Sequence, residues 1–310
     1  MTDKDESFDY EIEKMEDLKY WVALHSVEGI GPSLYNSLLE RFGEPEEVLR
    51  ASLEDLTQIP HLTEEKARGI QESTDRLEEI EDLLLALDDQ GVRIMTIREE
   101  DYPEGLLDLK NPPPLLYLYG NIKEEDSQAV AIVGTRKPSE EGYQKAKDFA
   151  KGLVEVGFTI VSGYADGIDT AGHLGAIESE GRTIMVLSSG INHFQLKEGM
   201  ESLEFLRERG VILSEFFPKA PWSVGGAMAR NQLVCGLSRA VLVVEAGLSG
   251  GTLNTAEEAQ KMKKPLFVYR YQNPPPSALG NEGLIKNGAI GVESYEELMQ
   301  ALEENESLVI

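Results

Sequence analysis

Ala129-Val-Ala-Ile-Val133-Gly134-Thr135-Arg136-Lys137-Pro138-Ser139 is the stretch on which the fold turns. Five apolar residues in a row suit a strand buried on both faces. A glycine ends the run, cations and hydroxyls follow, and helical spacing covers roughly 140–156. The same succession recurs downstream. FTIVS (158–162) leads to a helix over 169–179, and TIMVLS (183–188) to one near 198–209. VILSE (211–215) leads to a short helix over 229–238, and AVLVVEA (240–246) to one over 252–263 and then to PLFVY (265–269). Apolar strands alternating with helices of roughly 10–15 residues predict an α/β fold. The expected form over 125–310 is a doubly wound, mostly parallel sheet covered on both faces.

Toward the N-terminus the pattern changes. From Leu18 to Leu87 apolar residues recur at three- and four-residue spacing, among them Trp21, Leu24, Leu34, Leu38, Leu39 and Phe42. Glycines and prolines cut this run into short helices, while 74–89 reads as one longer amphipathic helix. Val27-Glu28-Gly29-Ile30-Gly31-Pro32 fits a helix–hairpin–helix turn, so 18–90 is expected to be a small all-α helix–hairpin–helix or SAM-like domain. No basic residue directly follows that hairpin. A connector over 91–124 holds short strands, Val92–Ile97 and Leu115–Tyr119, around the Pro-rich Asn111–Pro114. Residues 1–17 form an acidic tail. No internal repeat of 20–50 residues is visible.

Composition limits the chemistry. The net charge is −27, unevenly spread: residues 1–120 carry 11 Lys/Arg against 30 Asp/Glu, and 121–310 carry 18 against 26. An anion site must therefore be local, and the second half is the better place for it. The one cysteine, Cys235, and the four histidines form no metal-ligand spacing, so no metal and no cofactor is expected. No apolar run is long enough to span a membrane and no basic leader precedes the chain, which makes the cytoplasm the expected location.

Four segments carry candidate chemistry. The first loop offers Gly134 for a tight turn, Thr135 and Ser139 as hydroxyl donors, and Arg136 and Lys137 as charge, beside the free N–H groups of a helix start. The second, Ser162-Gly163-Tyr164-Ala165-Asp166-Gly167-Ile168-Asp169, opens with two glycines, and Asp169 is either an N-cap or a ligand contact. His173, one turn on, is expected to pack rather than react. The third, Ser249-Gly250-Gly251-Thr252, has the shape of another phosphate-cradling turn. The fourth pairs Arg230, a candidate phosphate clamp, with Asn231, a candidate partner for a base or backbone group. Strand-to-helix loops of a parallel sheet all open on one edge.

In this order, VAIVGTRKPS (130–139), VSGYADGIDTAGH (161–173), GRTIMVL (181–187), LSEFFP (213–218), ARNQLVCGLSRAVLVVEA (229–246) and SGGTLNTA (249–256) resemble the DNA-processing protein A (DprA/Smf) family. So do Gly280-Asn281, Leu284-Ile285 and Gly288-Ala289. The resemblance implies an extended Rossmann-like domain over 125–310 that binds single-stranded DNA in a positively charged pocket, a dimer, and service to a RecA-type recombinase in DNA uptake. It implies a binding protein rather than an enzyme. It departs at Gln232, where a second arginine is common, at Asp166, and in Gly190–Gln195. Many members also carry a C-terminal winged helix, which is not expected before Ile310. With this charge, DNA binding is expected to be weak and to fall steeply with salt. Two alternatives stay open: a phosphoribohydrolase-like, nucleotide-cleaving relative with Glu257 or Asp169 as acid/base, and a ligand sensor.

Overall fold

The computed structural model describes residues 17–200 and 202–306; the acidic tail, apart from Asp17, lies outside them. Two compact units appear. The chain passes between them at Tyr102/Pro103, Leu109/Lys110 and Tyr117/Leu118.

The first unit is mostly helical: α1 over 17–25, α2 (Pro32–Phe42), α3 (Pro45–Arg50), α4 (Leu53–Leu56), α5 (Glu64–Glu72), α6 (Leu77–Asp89) and the strand β1 (Val92–Thr96). Trp21, Leu24, Tyr35, Leu38, Leu56, Ile70 and Leu87 are buried together in its interior. Trp21 stacks on Tyr35 at 5.9 Å, and the Tyr35 hydroxyl donates to the Trp21 carbonyl at 2.9 Å. The helix expected over 74–89 starts instead as a 3-10 turn, Ser73–Arg76. Ser73 and Thr74 hydroxyls bond the carbonyls three residues back, the local competition that tightens a turn.

A repeat is present after all. Ile30 N–H bonds the Val27 carbonyl, and 32 residues later Leu62 N–H bonds the Ile59 carbonyl. Gly29 has φ +79° in the first hairpin and His61 has φ +67° at the matching place in the second. Gly31 and Thr63 then start α2 and α5. The sequence conceals this because His61 stands where a hairpin usually has glycine.

β2 (Leu115–Gly120) is divided, its residues up to Tyr117 belonging to the first unit and those from Leu118 to the second. The second unit also holds α7 (Glu104–Leu107), β3 (Ala129–Gly134), α8 (Glu140–Glu155), β4 (Thr159–Gly163), α9 (Ile168–Glu178), β5 (Thr183–Val186), α10 (Leu203–Arg209) and β6 (Gly210–Ser214). It continues through α11 (Val224–Gly236), β7 (Ala240–Glu245), α12 (Gly251–Lys261), β8 (Leu266–Tyr269), α13 (Asn281–Lys286), β9 (Ile290–Val292) and α14 (Tyr295–Glu306). Seven strands line up as β6-β5-β4-β3-β7-β8-β9, every pair parallel. The doubly wound, Rossmann-like α/β fold is as expected. The chain winds outward from β3 to β6, then returns through α11 to the far side of β3. That reversal puts a topological switch point between β3 and β7, where open α/β sheets bind ligands.

Sequence spacing missed α13 and β9 and shortened α11. The first half of α11, Val224-Gly-Gly-Ala-Met228, carries two glycines and an exposed apolar face, which is no amphipathic signal. At the amino-terminal edge of the sheet, Arg182 and Asp126 form a buried pair at 2.6 Å, joined by Thr159. That edge is closed by its own charges.

Candidate functional site

A cleft of about 420 Å³ opens at the carboxyl ends of β4, β3 and β7, three neighbours in the sheet. Gly134, Thr135, Arg136 and Lys137 line it from the first loop, Gly163 and Asp169 from the second, and Ser249, Gly250, Gly251 and Thr252 from the third. Arg230 and Asn231 reach it from α11. These twelve expected residues are thus brought to one place. Ser139, Ser162 and Gly167 are not among its lining residues, and each has a different task.

Ser139 caps α8, its Oγ accepting from Gly142 N–H at 3.0 Å. Its own hydroxyl hydrogen goes to Glu245 Oε2 at 2.7 Å and its N–H to Glu245 Oε1 at 2.9 Å. It is therefore no free donor to a ligand. Ser162 is buried under β3 and donates to the Ile132 carbonyl at 2.6 Å. Gly167 has φ +79°, and a Cβ there would run into the Thr135 carbonyl and Arg136 backbone. It fastens the second loop to the first, a joint completed by Ile168 N–H bonding the Thr135 carbonyl at 3.2 Å.

Glu245 is the residue that sequence reading passed over. It ends β7 with no exposed surface and gathers the first loop around it. Its backbone carbonyl accepts Thr135 N–H at 2.7 Å, and its carboxylate takes Ser139 and the Tyr271 hydroxyl, the latter at 2.7 Å. Burial, and then Glu245 itself, raise the Tyr271 phenol, which stays protonated and donates. Glu245→Gln replaces one acceptor oxygen by a donor facing these donors. Leaving such a group unsatisfied costs about 1–3 kcal/mol, so a lowered melting temperature is expected in calorimetry; an unchanged one would show that the loop does not depend on this clamp.

Arg230 was read at a helix start but sits inside α11, 6% exposed. Its Nη1 lies 3.2 Å from the Val186 carbonyl and 3.7 Å from Asp169 Oδ2, while Nε has no partner. Gly163 makes room for it: any Cβ there would overlap the guanidinium. Asp169 does not cap α9, whose cap is Gly167. Burial raises the Asp169 carboxyl and lowers the Arg230 guanidinium, each against the pull of the other. At 3.7 Å the pair leaves the arginine incompletely neutralised, a buried cation with a spare N–H.

The remaining donors fit an anion. α12 begins at Gly251 with no side-chain cap, so its first N–H groups and dipole face the cleft with Ser249 and Thr252. Arg136 and Lys137 are exposed, and among the described residues no carboxylate lies within ion-pair distance of either. Asn231 Nδ2 is turned to Asn254 Oδ1 at 3.0 Å and so braces α11 on α12. Asn281, in the Gly280-Asn281 motif, ties the Ala246 N–H and the Val244 and Tyr269 carbonyls together at 2.8 Å. His173 is fully buried, with Nε2 3.2 Å from the Gly163 carbonyl and Nδ1 2.7 Å from the Thr183 hydroxyl. Burial lowers it to about 3, which suits a packed residue. Glu257 and Glu258 stand outside the cleft lining, and Glu258 pairs with Lys261 at 2.7 Å.

In the first unit, the Lys66 side chain from α5 lies against Gly29 of the first hairpin. The cation missing beside that hairpin in sequence is supplied from another helix.

Residues 93–303 match the family described as DNA recombination-mediator protein A, and residues 22–76 match the SAM-like helix-hairpin-helix tandem. Protein Smf of Synechocystis sp. is 33% identical over 290 residues, 91% of this chain and 72% of its own length. DNA processing protein DprA of Bacillus subtilis is 31% identical, over 72% of this chain and 75% of its own. The X-ray structure of DNA processing protein A from Streptococcus pneumoniae superposes with a TM-score of 0.75 at 27% identity, covering 91% of this chain and 97% of that one. DNA processing protein A from Helicobacter pylori, described for its single-stranded DNA binding mode, gives 0.59 at 32% identity over 69% and 96%.

Proposed function

The chain belongs to the DNA recombination-mediator protein A family, and we propose that it binds single-stranded DNA in the cleft between β3 and β7, with 125–310 as the binding domain and 18–90 as an accessory helical domain. One observation carries this reading. Arg230 is a buried, under-paired cation among the lining residues of a cleft that also holds three Gly loops and an uncapped helix start. Such a group is satisfied by an anionic oxygen, and a nucleic-acid backbone supplies one at every nucleotide. The protein acts as a homodimer that passes the bound strand to a RecA-type recombinase in the cytoplasm. Among the described residues no helix is long and apolar enough to cross a membrane.

Three cleft cations, Arg136, Lys137 and Arg230, set the salt response. On single strands each neutralised phosphate contributes about −0.7 to the log–log slope, so about −2 is the ceiling. That is shallower than the composition alone suggests. Fluorescence anisotropy with labelled oligo-dT, beside free nucleotides, measures it. Undetectable binding at low salt together with tight mononucleotide binding would overturn the proposal.

Arg136→Ala removes an exposed charge-assisted contact worth about 1.5–3 kcal/mol, about 10- to 150-fold in affinity. Arg136→Lys should recover part of it, since a point charge lacks the planar fork. Melting should hardly change, because Arg136 is exposed. An Arg136→Ala protein that binds like wild type would place the strand elsewhere.

A further inference from the structure

The mouth of the cleft has an apolar rim. Trp222 is 52% exposed on the segment leading into α11, Val224 is 68% exposed, and Met228, which lines the cleft, is 41% exposed. Leu248 is 74% exposed between Gly247 and Ser249, both of which line the cleft. Large apolar side chains left in water at a binding mouth point to an apolar partner there. Trp222 is tied to the phosphate side of the site, because the Arg136 guanidinium stands over its ring at 5.9 Å from the centroid. One cation thus serves both the cleft and the aromatic ring, and the exposed part of the indole stays open.

We infer that Trp222 is a base-stacking platform, on which a nucleobase of the strand rests while Arg136 holds the adjoining phosphate. The inference rests on the proposed single-stranded DNA binding and specifies which moiety the rim takes. It also answers a difficulty of charge. In a chain of net charge −27, phosphate neutralisation rests on three cleft cations, whereas stacking is insensitive to net charge and works with every base. The occupant is a flat heterocycle joined to a phosphate chain, which makes the contact tolerant of sequence and selective for unpaired strands.

The test uses the full chain and three probes: an oligo-dT, an abasic oligomer of the same length, and inorganic phosphate. With two tryptophans in the chain and Trp21 5% exposed, quenching by oligo-dT should come from Trp222 and vanish in Trp222→Phe. Trp222→Ala should weaken oligo-dT about 5- to 150-fold, the range found when a stacking aromatic is truncated. Trp222→Phe should stay within about threefold of wild type, since a smaller aromatic face remains. The abasic oligomer should bind wild type and Trp222→Ala equally. Equal oligo-dT affinity for Trp222→Ala and wild type, or equal losses on both oligomers, overturns the platform while leaving strand binding intact. Failure of wild type to bind any oligomer overturns the underlying proposal instead, and binding of phosphate alone marks the cleft as a simple anion site. Should Trp222→Ala melt early, Trp222→Leu and Trp222→Phe decide: the leucine variant must lose affinity and the phenylalanine variant keep it.

Discussion

Arg230→Ala is expected to lower oligonucleotide affinity by at least 10- to 150-fold, the equivalent of about 1.5–3 kcal/mol for one charge-assisted contact, and to destabilise the second unit as well. Both effects have one origin. The guanidinium is the ion-pair partner of the buried Asp169, has an unsatisfied Nε–H, and belongs to a residue that lines the cleft. Removing one member of a buried pair costs about 3–5 kcal/mol, because the other charge stays behind without compensation. Here the remaining group can take up a proton. Burial already raises the Asp169 carboxyl, and loss of Arg230 raises it further. A carboxyl with a raised folded value favours the fold at low pH, so the deficit should be largest near pH 8 and shrink toward pH 5. The double variant Arg230→Ala/Asp169→Ala should recover stability and not binding. Melting curves at pH 8 and pH 5, with anisotropy titrations, read both quantities. A double variant that binds like wild type would remove Arg230 from the phosphate site. A single variant with a pH-independent deficit would show that Asp169 is not the residue left exposed to the cost.

Acid is expected to unfold the first unit before the second. Burial lowers His25 to about 4 and His173 to about 3, from an ordinary value near 6.5. Each histidine is neutral in the fold, so its contribution is complete above pH 6.5 and is lost as pH falls toward the folded value. The loss runs at about 1.4 kcal/mol per pH unit, roughly 2 kcal/mol for each by pH 5. In the second unit an opposite trend runs alongside. Glu215 is buried with Oε1 unpartnered, and burial pushes its carboxyl up to about 7. The fold prefers it protonated, so its contribution grows as pH falls from 7 toward 4.5 and offsets His173. Among the described residues His25 has no such counterweight: the other shifted groups of its unit are tyrosines and Arg93, which do not titrate there. In a Trp222→Phe background Trp21 is the one remaining tryptophan and reports the first unit. Its transition should lose about 3 kcal/mol between pH 7 and pH 4. His25→Phe should flatten that dependence, at the expense of the 3.0 Å contact to the Tyr117 hydroxyl. A Trp21 transition unmoved by pH would refute the assignment to His25.

The outline of the second unit was legible from its residues. Runs such as Ala129–Val133 and Ala240–Ala246 have one reading, a strand buried on both faces, and parallel order forces every loop after such a strand to the same edge. Hence the sequence alone puts Gly134, Gly163 and Gly251 at one edge of the sheet. A glycine before a helix is a local signal, and local signals survive in sequence.

What each side chain does at that edge was decided by tertiary structure. Ser139, Arg136 and Lys137 are neighbours in sequence, yet Ser139 is consumed by Glu245, 106 residues away, while the two cations stay free for a ligand. Arg230 was recognisable as a cation near the site, but its burial, its weak hold on Asp169 and its spare N–H depend on the absence of a side chain at Gly163. Trp222 has no motif at all and becomes notable because the segment leading into α11 brings it to Arg136. In the first unit Lys66 reaches Gly29 across a hairpin repeat hidden by His61. Strand and turn propensities act over a few residues and are written in order along the chain. Hydrogen-bond partners, burial and charge pairing are set by distances in space, and these exist only once the strands have taken their places in the sheet.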